Sequence, residues 1–315
     1  MLPWEKAAEK SRSQVCTGSY GKQGDSARVN AVVVGVDGSD ESLHAVRWAA
    51  AEAAWRGVAL RIVTAVGRRH VRDSQAAAES GGGPPGPHQT LRTAAQAARE
   101  VSARLDVHEE ALGDGPVRAL LGAAEGAPVL ALGSRALGPV AGFFLGSVGL
   151  SVTAHATMPV VSVRHPDAGS RSTAAPVVVG VDLKQSCGPL LDFAFETADR
   201  RGAVLRAAHA WSVRALYSYP SALPDPAVVI RAGDRVEAEL DRALMPWRRR
   251  FPHVEVEAEL AMGPGAPFLV ESSKEAGLLV VGRRLRGHPF PTRIGPVTHA
   301  ALHHAACPVA VVPYE

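Results

Sequence analysis

Val32-Val33-Val34-Gly35-Val36-Asp37 returns 145 residues later as Val177-Val178-Val179-Gly180-Val181-Asp182, and this repetition decides the architecture. Each stretch is a run of β-branched residues closed by glycine and aspartate. A run without polar alternation is the pattern of a strand buried on both faces of a parallel sheet. Arg56-Gly57 recurs as Arg201-Gly202 at the same spacing. Val129-Leu130-Ala131-Leu132-Gly133-Ser134-Arg135 is echoed by Leu278-Leu279-Val280-Val281-Gly282-Arg283-Arg284, now 149 residues away. Gly146 is echoed by Gly295, and Met158-Pro159-Val160-Val161-Ser162-Val163 by Cys307-Pro308-Val309-Ala310-Val311-Val312, both at that longer spacing. A period of this length exceeds any solenoid unit and matches a whole small domain. The chain is a tandem duplication, so differences between its halves become readable.

Outward from the first run, the pattern alternates. Val29 to Val36 predicts a strand. Ser39 to Arg56 carries apolar residues at helical spacing (Leu43, Val46, Ala50, Ala53, Ala54), with Gly57 as its carboxyl cap. Ala59 to Val66 reads as a second strand, and Gly81 to Pro87 as a loop. Helices are predicted over Thr90 to Leu105, Pro116 to Ala124 and Gly146 to His155. Between and after them come strands at Val107 to Leu112, Val129 to Leu132 and Val160 to Val163. The second half repeats the order: Val177 to Val181, Leu190 to Arg200, Val204 to Trp211, a proline-containing loop through Tyr219-Pro220 and Leu223-Pro224, and Ala227 to Arg250. Val254 to Leu260, Ala266 to Glu275, Leu278 to Val281, Gly295 to His304 and Val309 to Val312 complete it. Strands alternating with helices imply an α/β fold, a parallel sheet wound on both sides. The expected organisation is a mobile polar leader over 1–28, a domain over 29–165, a linker over 166–175 and a second domain over 176–315.

Composition bounds the function. Hydrophobic residues make up 46% and charged residues 21%, the balance of a globular chain with a proper core. A formal net charge of +3 over 315 residues gives no reason to expect nucleic acid as a partner. Arg248-Arg249-Arg250 and Arg283-Arg284 read as solvated helix or loop cations. The cysteines Cys16, Cys187 and Cys307 form neither a disulfide framework nor a metal pattern, which fits a reducing compartment. Neither a secretion signal nor an apolar run long enough for a bilayer is evident, so a cytoplasmic protein without a membrane partner is expected.

Chemistry is expected outside the carboxyl ends of the strands, where an open parallel sheet binds its ligands. Two loops there have suitable residues. Asp37-Gly38-Ser39 follows the first strand, and Gly133 through Ser147 links the fourth strand to the next helix. Glycines admit backbone amides close to an anion, a helix amino terminus supplies unpaired N–H groups, and Ser147 adds a hydroxyl. Those glycines serve equally well to build a tight turn.

The Val-Gly-Val-Asp opening, the Gly133-Ser134-Arg135 segment, Gly146-Ser147-Val148 and the ending His155-Ala156-Thr157-Met158-Pro159-Val160 resemble the universal stress protein family, in two copies from residue 29 to 315. The resemblance implies two doubly wound, flavodoxin-like domains of five parallel strands in the order 3-2-1-4-5. It also implies ATP binding through Gly-x2-Gly-x9-Gly-Ser/Thr, with or without Mg²⁺. On that pattern Gly133 is the first glycine, Gly146 the third and Ser147 the hydroxyl residue, while Ala136 departs at the second glycine. Asp37 resembles the acidic residue near ribose, phosphates or Mg²⁺, and Ala65 a backbone contact to adenine. The implied site comprises Asp37, Gly38, Ala65, Leu132, Gly133, Ala136, Gly146, Ser147 and Val148, with Asp182, Gly282 and Gly295 as counterparts. In this family the fifth strands pair between subunits, so the two halves are expected to pair internally as a pseudo-dimer; a homodimer of whole chains stays open.

In the second half Leu285 replaces the second glycine and Pro296 the hydroxyl residue. Proline removes both an amide donor and the hydroxyl. Two readings stand: a half that has lost its site and supports its partner, or an anion site built from Arg283, Arg284, Arg286 and His288. His299 and His303, four apart on one helix face, have the spacing of a metal pair but lack an evident third ligand; helix-end histidines also serve the dipole. No residue reads as a base for activating water. The expectation is an ATP-binding stress-response regulator and not an enzyme, at most a slow ATP hydrolase. The alternatives are a protein-interaction module without nucleotide, and an adenine-nucleotide α-hydrolase, whose Ser-Gly-Gly-x-Asp-Ser loop the chain lacks.

Overall fold

The computed structural model describes residues 30–66, 86–136, 143–164, 175–185, 187–212, 225–285 and 294–315. The expected leader, the 81–85 part of the glycine-proline loop, the linker up to 174, the 219–224 proline loop, and Cys16, Arg286 and His288 lie outside the described residues.

The first half runs β1 (Ala31–Gly35), α1 (Asp40–Arg56), β2 (Ala59–Ala65), α2 (Pro87–Val101), β3 (Val107–Leu112), α3 (Pro116–Ala123) and β4 (Leu130–Gly133). A two-residue hairpin follows, β5 (Arg135–Ala136) with β6 (Phe143–Phe144), then α4 (Ser147–His155) and β7 (Val160–Val163). The second half runs β8 (Val177–Gly180), α5 (Gly188–Arg201), β9 (Leu205–Trp211), α6 (Pro226–Arg250) and β10 (Val256–Met262). It closes with α7 (Gly265–Ser272), β11 (Leu278–Arg284), α8 (Pro296–His304) and β12 (Val309–Tyr314).

Within each half the strands are parallel and ordered 3-2-1-4-5, as the resemblance implied. The fifth strands are not free edges. β7 and β12 pair antiparallel and fuse the halves into one ten-stranded sheet, β10-β9-β8-β11-β12-β7-β4-β1-β2-β3. The central pair of that seam is Val161 with Ala310. Since 310 − 161 = 149, these two are each other's repeat counterparts, as at the centre of two strands related by a two-fold axis.

Side-chain alternation sorts the core. Val32 and Val34 of β1, with Val177 and Val179 of β8, face one layer that runs without a break across both halves beneath α1, α2, α5 and α6. Val33 and Val178 face the other side, where α3 and α4 cover one cluster and α7 and α8 another. The repeated Arg-Gly pair is a helix stop. Gly57 (φ 65°) and Gly202 (φ 58°) take the left-handed conformation, and their N–H groups close the last turns of α1 and α5. Several element ends shift by a few residues from expectation, α2 at both of its ends. α2 begins at Pro87 and ends at Val101, because proline fits a first helical position and Gly86 precedes it in extended conformation.

On the continuous face α1 and α5 meet through a buried cluster. Glu52 is 2% exposed and receives Arg56 Nε at 2.7 Å from its own helix and Arg201 at 2.8 Å from the other half. Arg56 lies over the Phe193 ring and Arg201 over Trp48, and these are reciprocal pairs: 201 − 56 and 193 − 48 are both 145. Arg201 also stacks on Trp55, 4.7 Å from its centroid. The counterpart of Glu52 is Thr197, whose hydroxyl turns back to the Phe193 carbonyl. One carboxylate therefore serves two guanidinium groups. Burial pushes Glu52 up, but Arg201 and Arg56 together pull it further down, below the usual carboxylate range.

Candidate functional site

At the carboxyl ends of β1, β2 and β4 lies a cleft of about 510 Å³. It gathers Asp37, Ala65, Leu132, Gly133, Gly146, Ser147 and Val148 from the expected set. Gly38 is not among its described lining residues; with φ 86° it lets the chain turn from β1 into α1. Ala136 lies in β5, and Asp182, Gly282 and Gly295 line a separate cleft in the second half. Ser39, Glu41, Thr64 and Thr90 also face the first cleft. Ser39 belongs to the loop already singled out after β1, whereas no motif names Glu41, Thr64 and Thr90; their place in first helical turns or at the end of β2 is the available signal.

Four helices start at this cleft, and they are not equivalent as anion sites. α2 and α3 open with Pro87 and Pro116, which donate no N–H. The first turn of α1 is already capped, Ser39 Oγ accepting from the Ser42 N–H at 3.3 Å. α4 begins at Ser147 with neither a proline nor a side-chain cap. Exposed Ser147 and its first-turn neighbours Val148 and Gly149 line the cleft, and the first amides of a helix have no partner within it.

The two glycines of the first-half motif do different work. A side chain on Gly133 would put its Cβ 2.6 Å from the Glu41 carbonyl carbon and oxygen, so the missing side chain there admits the first turn of α1. At Gly146 a Cβ would meet nothing within 4 Å. Asp37 stands at the rim, its Oδ1 accepting from the Ser39 N–H (3.0 Å) and hydroxyl (2.5 Å). Carboxylate and hydroxyl oxygens are hard donors of the kind Mg²⁺ prefers beside phosphate oxygens.

The match to known proteins follows the same two units. The model of the universal stress protein family matches residues 29–164 and again 174–313. The chain belongs to the universal stress protein family. The universal stress protein Rv1996 of Mycobacterium tuberculosis is 33% identical over 304 residues, covering 89% of this chain and 94% of that one. Rv2005c of the same organism is 34% identical over 299 residues, covering 89% and 96%. A crystal structure of a universal stress protein from Archaeoglobus fulgidus shares the fold, with a TM-score of 0.64 at 18% identity over 90% of this chain and 98% of that one.

The second universal stress protein domain has a larger cleft, about 940 Å³, with different contents. Asp182, Gly282 and Gly295 line it, together with His209, Arg284 and Tyr314. The Tyr314 ring lies against Gly282, where a Cβ would come within 2.4 Å of it. α5 starts at Gly188, three residues later than the repeat of Asp40 would place it (40 + 145 = 185), and here an aromatic ring sits against the glycine instead of a first helical turn. Burial, with Cys187 and Asp182 nearby, pushes the Tyr314 phenol up. His209 donates from Nδ1 to the Val181 carbonyl at 2.8 Å. α8 opens with Pro296.

The guanidinium reading of this cleft fails at Arg283. β11 continues through Arg284 because Arg283 pairs with Pro313 and Arg284 with Tyr314, so Arg283 is a strand residue and not part of a loop. Its side chain is 1% exposed and donates to the Ala154 carbonyl (3.0 Å) and the Ala156 carbonyl at the end of α4. Arg284 alone of the described pair reaches the cleft. The His299 and His303 rings stand 4.3 Å apart, and no group of three metal-ligating side chains occurs among the described residues.

Proposed function

We propose that the first domain binds ATP, accompanied by Mg²⁺, and that the protein is a nucleotide-responsive stress regulator and not an enzyme. The observation that carries this reading is the start of α4, a helix amino terminus with donors unspent, facing a cleft of ligand size beside an oxygen-bearing rim. In this reading the first-turn amides and Ser147 hold phosphate, Asp37 takes the ribose or Mg²⁺, and backbone near Ala65 meets the base. Leu132 and Val148 supply apolar wall, and Gly146 leaves room for the phosphate. The β7–β12 seam then makes the chain an internal pseudo-dimer. A cytoplasmic location accompanies this role; no helix among the described residues is long and apolar enough to cross a membrane.

The second domain favours another reading. With Pro296 at the helix start and Tyr314 against Gly282, this site has lost one first-turn amide and the hydroxyl of its counterpart and carries a ring beside its first glycine, which suits an interaction module better than a triphosphate site.

Calorimetric titration of the full chain with ATP and Mg²⁺ tests the proposal, with saturable binding at one site expected. Ser147→Ala is expected to weaken it about tenfold, the loss of a hydrogen bond to a charged group. Gly146→Val, which fills the empty space in front of α4, is expected to weaken it at least as much. Heat that never saturates at millimolar ATP, or Gly146→Val binding like the wild type, refutes the assignment.

A further inference from the structure

The helix that opens onto the first-domain cleft is held at both ends by the second domain. At its amino end Leu145, just before Gly146, is 1% exposed and packs in the second domain's core with Ala301, Leu302 and Val309. Leu145 also pins the first turn of α4: a side chain on Gly149 would meet it at 2.6 Å. At the carboxyl end the Arg283 guanidinium takes the carbonyls of Ala154 and Ala156. Those carbonyls have no partner within the helix, and a cation there also complements the helix dipole.

The reverse arrangement exists for α8. Arg164, 3% exposed and directly after β7, donates to the Ala301 carbonyl (2.9 Å) and the Leu302 carbonyl (2.6 Å). Burial pulls its guanidinium down to about 10, which leaves it charged at neutral pH. The repeat counterparts of Arg283 and Arg164 are Ser134 and Pro313 (283 − 149 and 164 + 149), so neither cap is repeated in the other half. Each domain caps the other's ligand-facing helix by a device of its own.

We propose that Arg283, a residue of the second domain, is a positioning residue for the nucleotide site of the first. This rests on the reading of that site given above. α4 is a short rod of nine residues, about 13 Å long. Fixing its last carbonyls and Leu145 fixes where its first-turn amides point. A planar fork can hold two carbonyls in one geometry, which an ammonium group does less well. Nucleotide affinity in one domain thereby depends on contacts made by the other.

The test compares Arg283→Met, Arg283→Lys and Arg164→Met in the full chain, by titration with ATP and Mg²⁺ and by hydrogen exchange of the α4 and α8 amides. Arg283→Met is expected to lose about tenfold in affinity and Arg283→Lys less, with faster exchange in α4. Arg164→Met is expected to bind within about twofold of the wild type, with faster exchange in α8 instead. If Arg283→Met does not fold, Arg283→Lys against Arg164→Met decides. Undiminished affinity in the Arg283 variants, or an equal loss in Arg164→Met, overturns the proposal. Should the wild type bind no nucleotide, the site reading falls and the positioning role falls with it, faster exchange in α4 then marking Arg283 as a helix cap alone. Saturable wild-type binding with unchanged α4 protection in Arg283→Met overturns the positioning role and leaves the site reading standing.

Discussion

Glu52→Gln is expected to destabilise the protein by about 3–5 kcal/mol, the cost of leaving buried charge uncompensated. The amide keeps the shape of the side chain and removes the only carboxylate that Arg56 and Arg201 meet in the ion pairs described here. Both arginine side chains are 7% exposed or less, so solvent cannot take over. Urea unfolding at neutral pH checks the figure; a loss below about 1 kcal/mol would place the pair among ordinary surface bridges. A double change, Glu52→Leu with Arg201→Met, is expected to cost less than the sum of its parts, because both ends of one bridge leave together. Acid supplies an independent check. A carboxylate lowered in the folded state contributes stability that is complete above its unfolded value, about 4.3. That contribution is lost as pH falls through the lower folded value. Stability of Glu52→Gln is therefore expected to fall less steeply below that point than stability of the wild type.

Gly133→Val is expected to cost about 3 kcal/mol or more, the upper end of overpacking, because the obstacle is backbone that cannot rotate away. Its Cβ would strike the Glu41 carbonyl and approach the Ser42 nitrogen to 2.9 Å, pushing α1 off β4. Gly146→Val is the matched comparison from the same motif. With open space at that position, its stability is expected to stay within about 0.5 kcal/mol of the wild type, even as ATP affinity falls. Thermal unfolding of both variants separates the roles. Equal melting temperatures for the two would contradict the division between a packing glycine and a ligand-facing one.

Much of the fold is legible in the chain because its signals are local. Val32 to Val34 and Val177 to Val179 read as buried strands from side-chain type alone, and both prove fully buried. Gly57 and Gly202 mark helix stops by their conformational freedom, and both take positive φ. The site is less legible. Gly133 and Gly146 carry the same letter in the same motif, yet one accommodates a helix and the other faces empty space. Tyr314, at the end of the chain, has no spacing relation to Gly282, although its ring lies against that glycine. Arg283 reads as a loop cation because the pairing of Arg283 with Pro313 and of Arg284 with Tyr314 leaves no trace in the neighbouring residues.

Repetition, apolar runs and glycine stops are properties of adjacent residues, so the duplicated α/β unit can be read from the chain, and the family resemblance adds the pairing of the fifth strands. Which side chains of one half serve the other becomes visible only in the folded molecule. Glu52 meets an arginine 149 positions away, and Arg283 caps a helix 127 to 129 positions before it. Contacts of that range are set by how whole layers pack, and close packing leaves no local trace of which distant group will fill a given space.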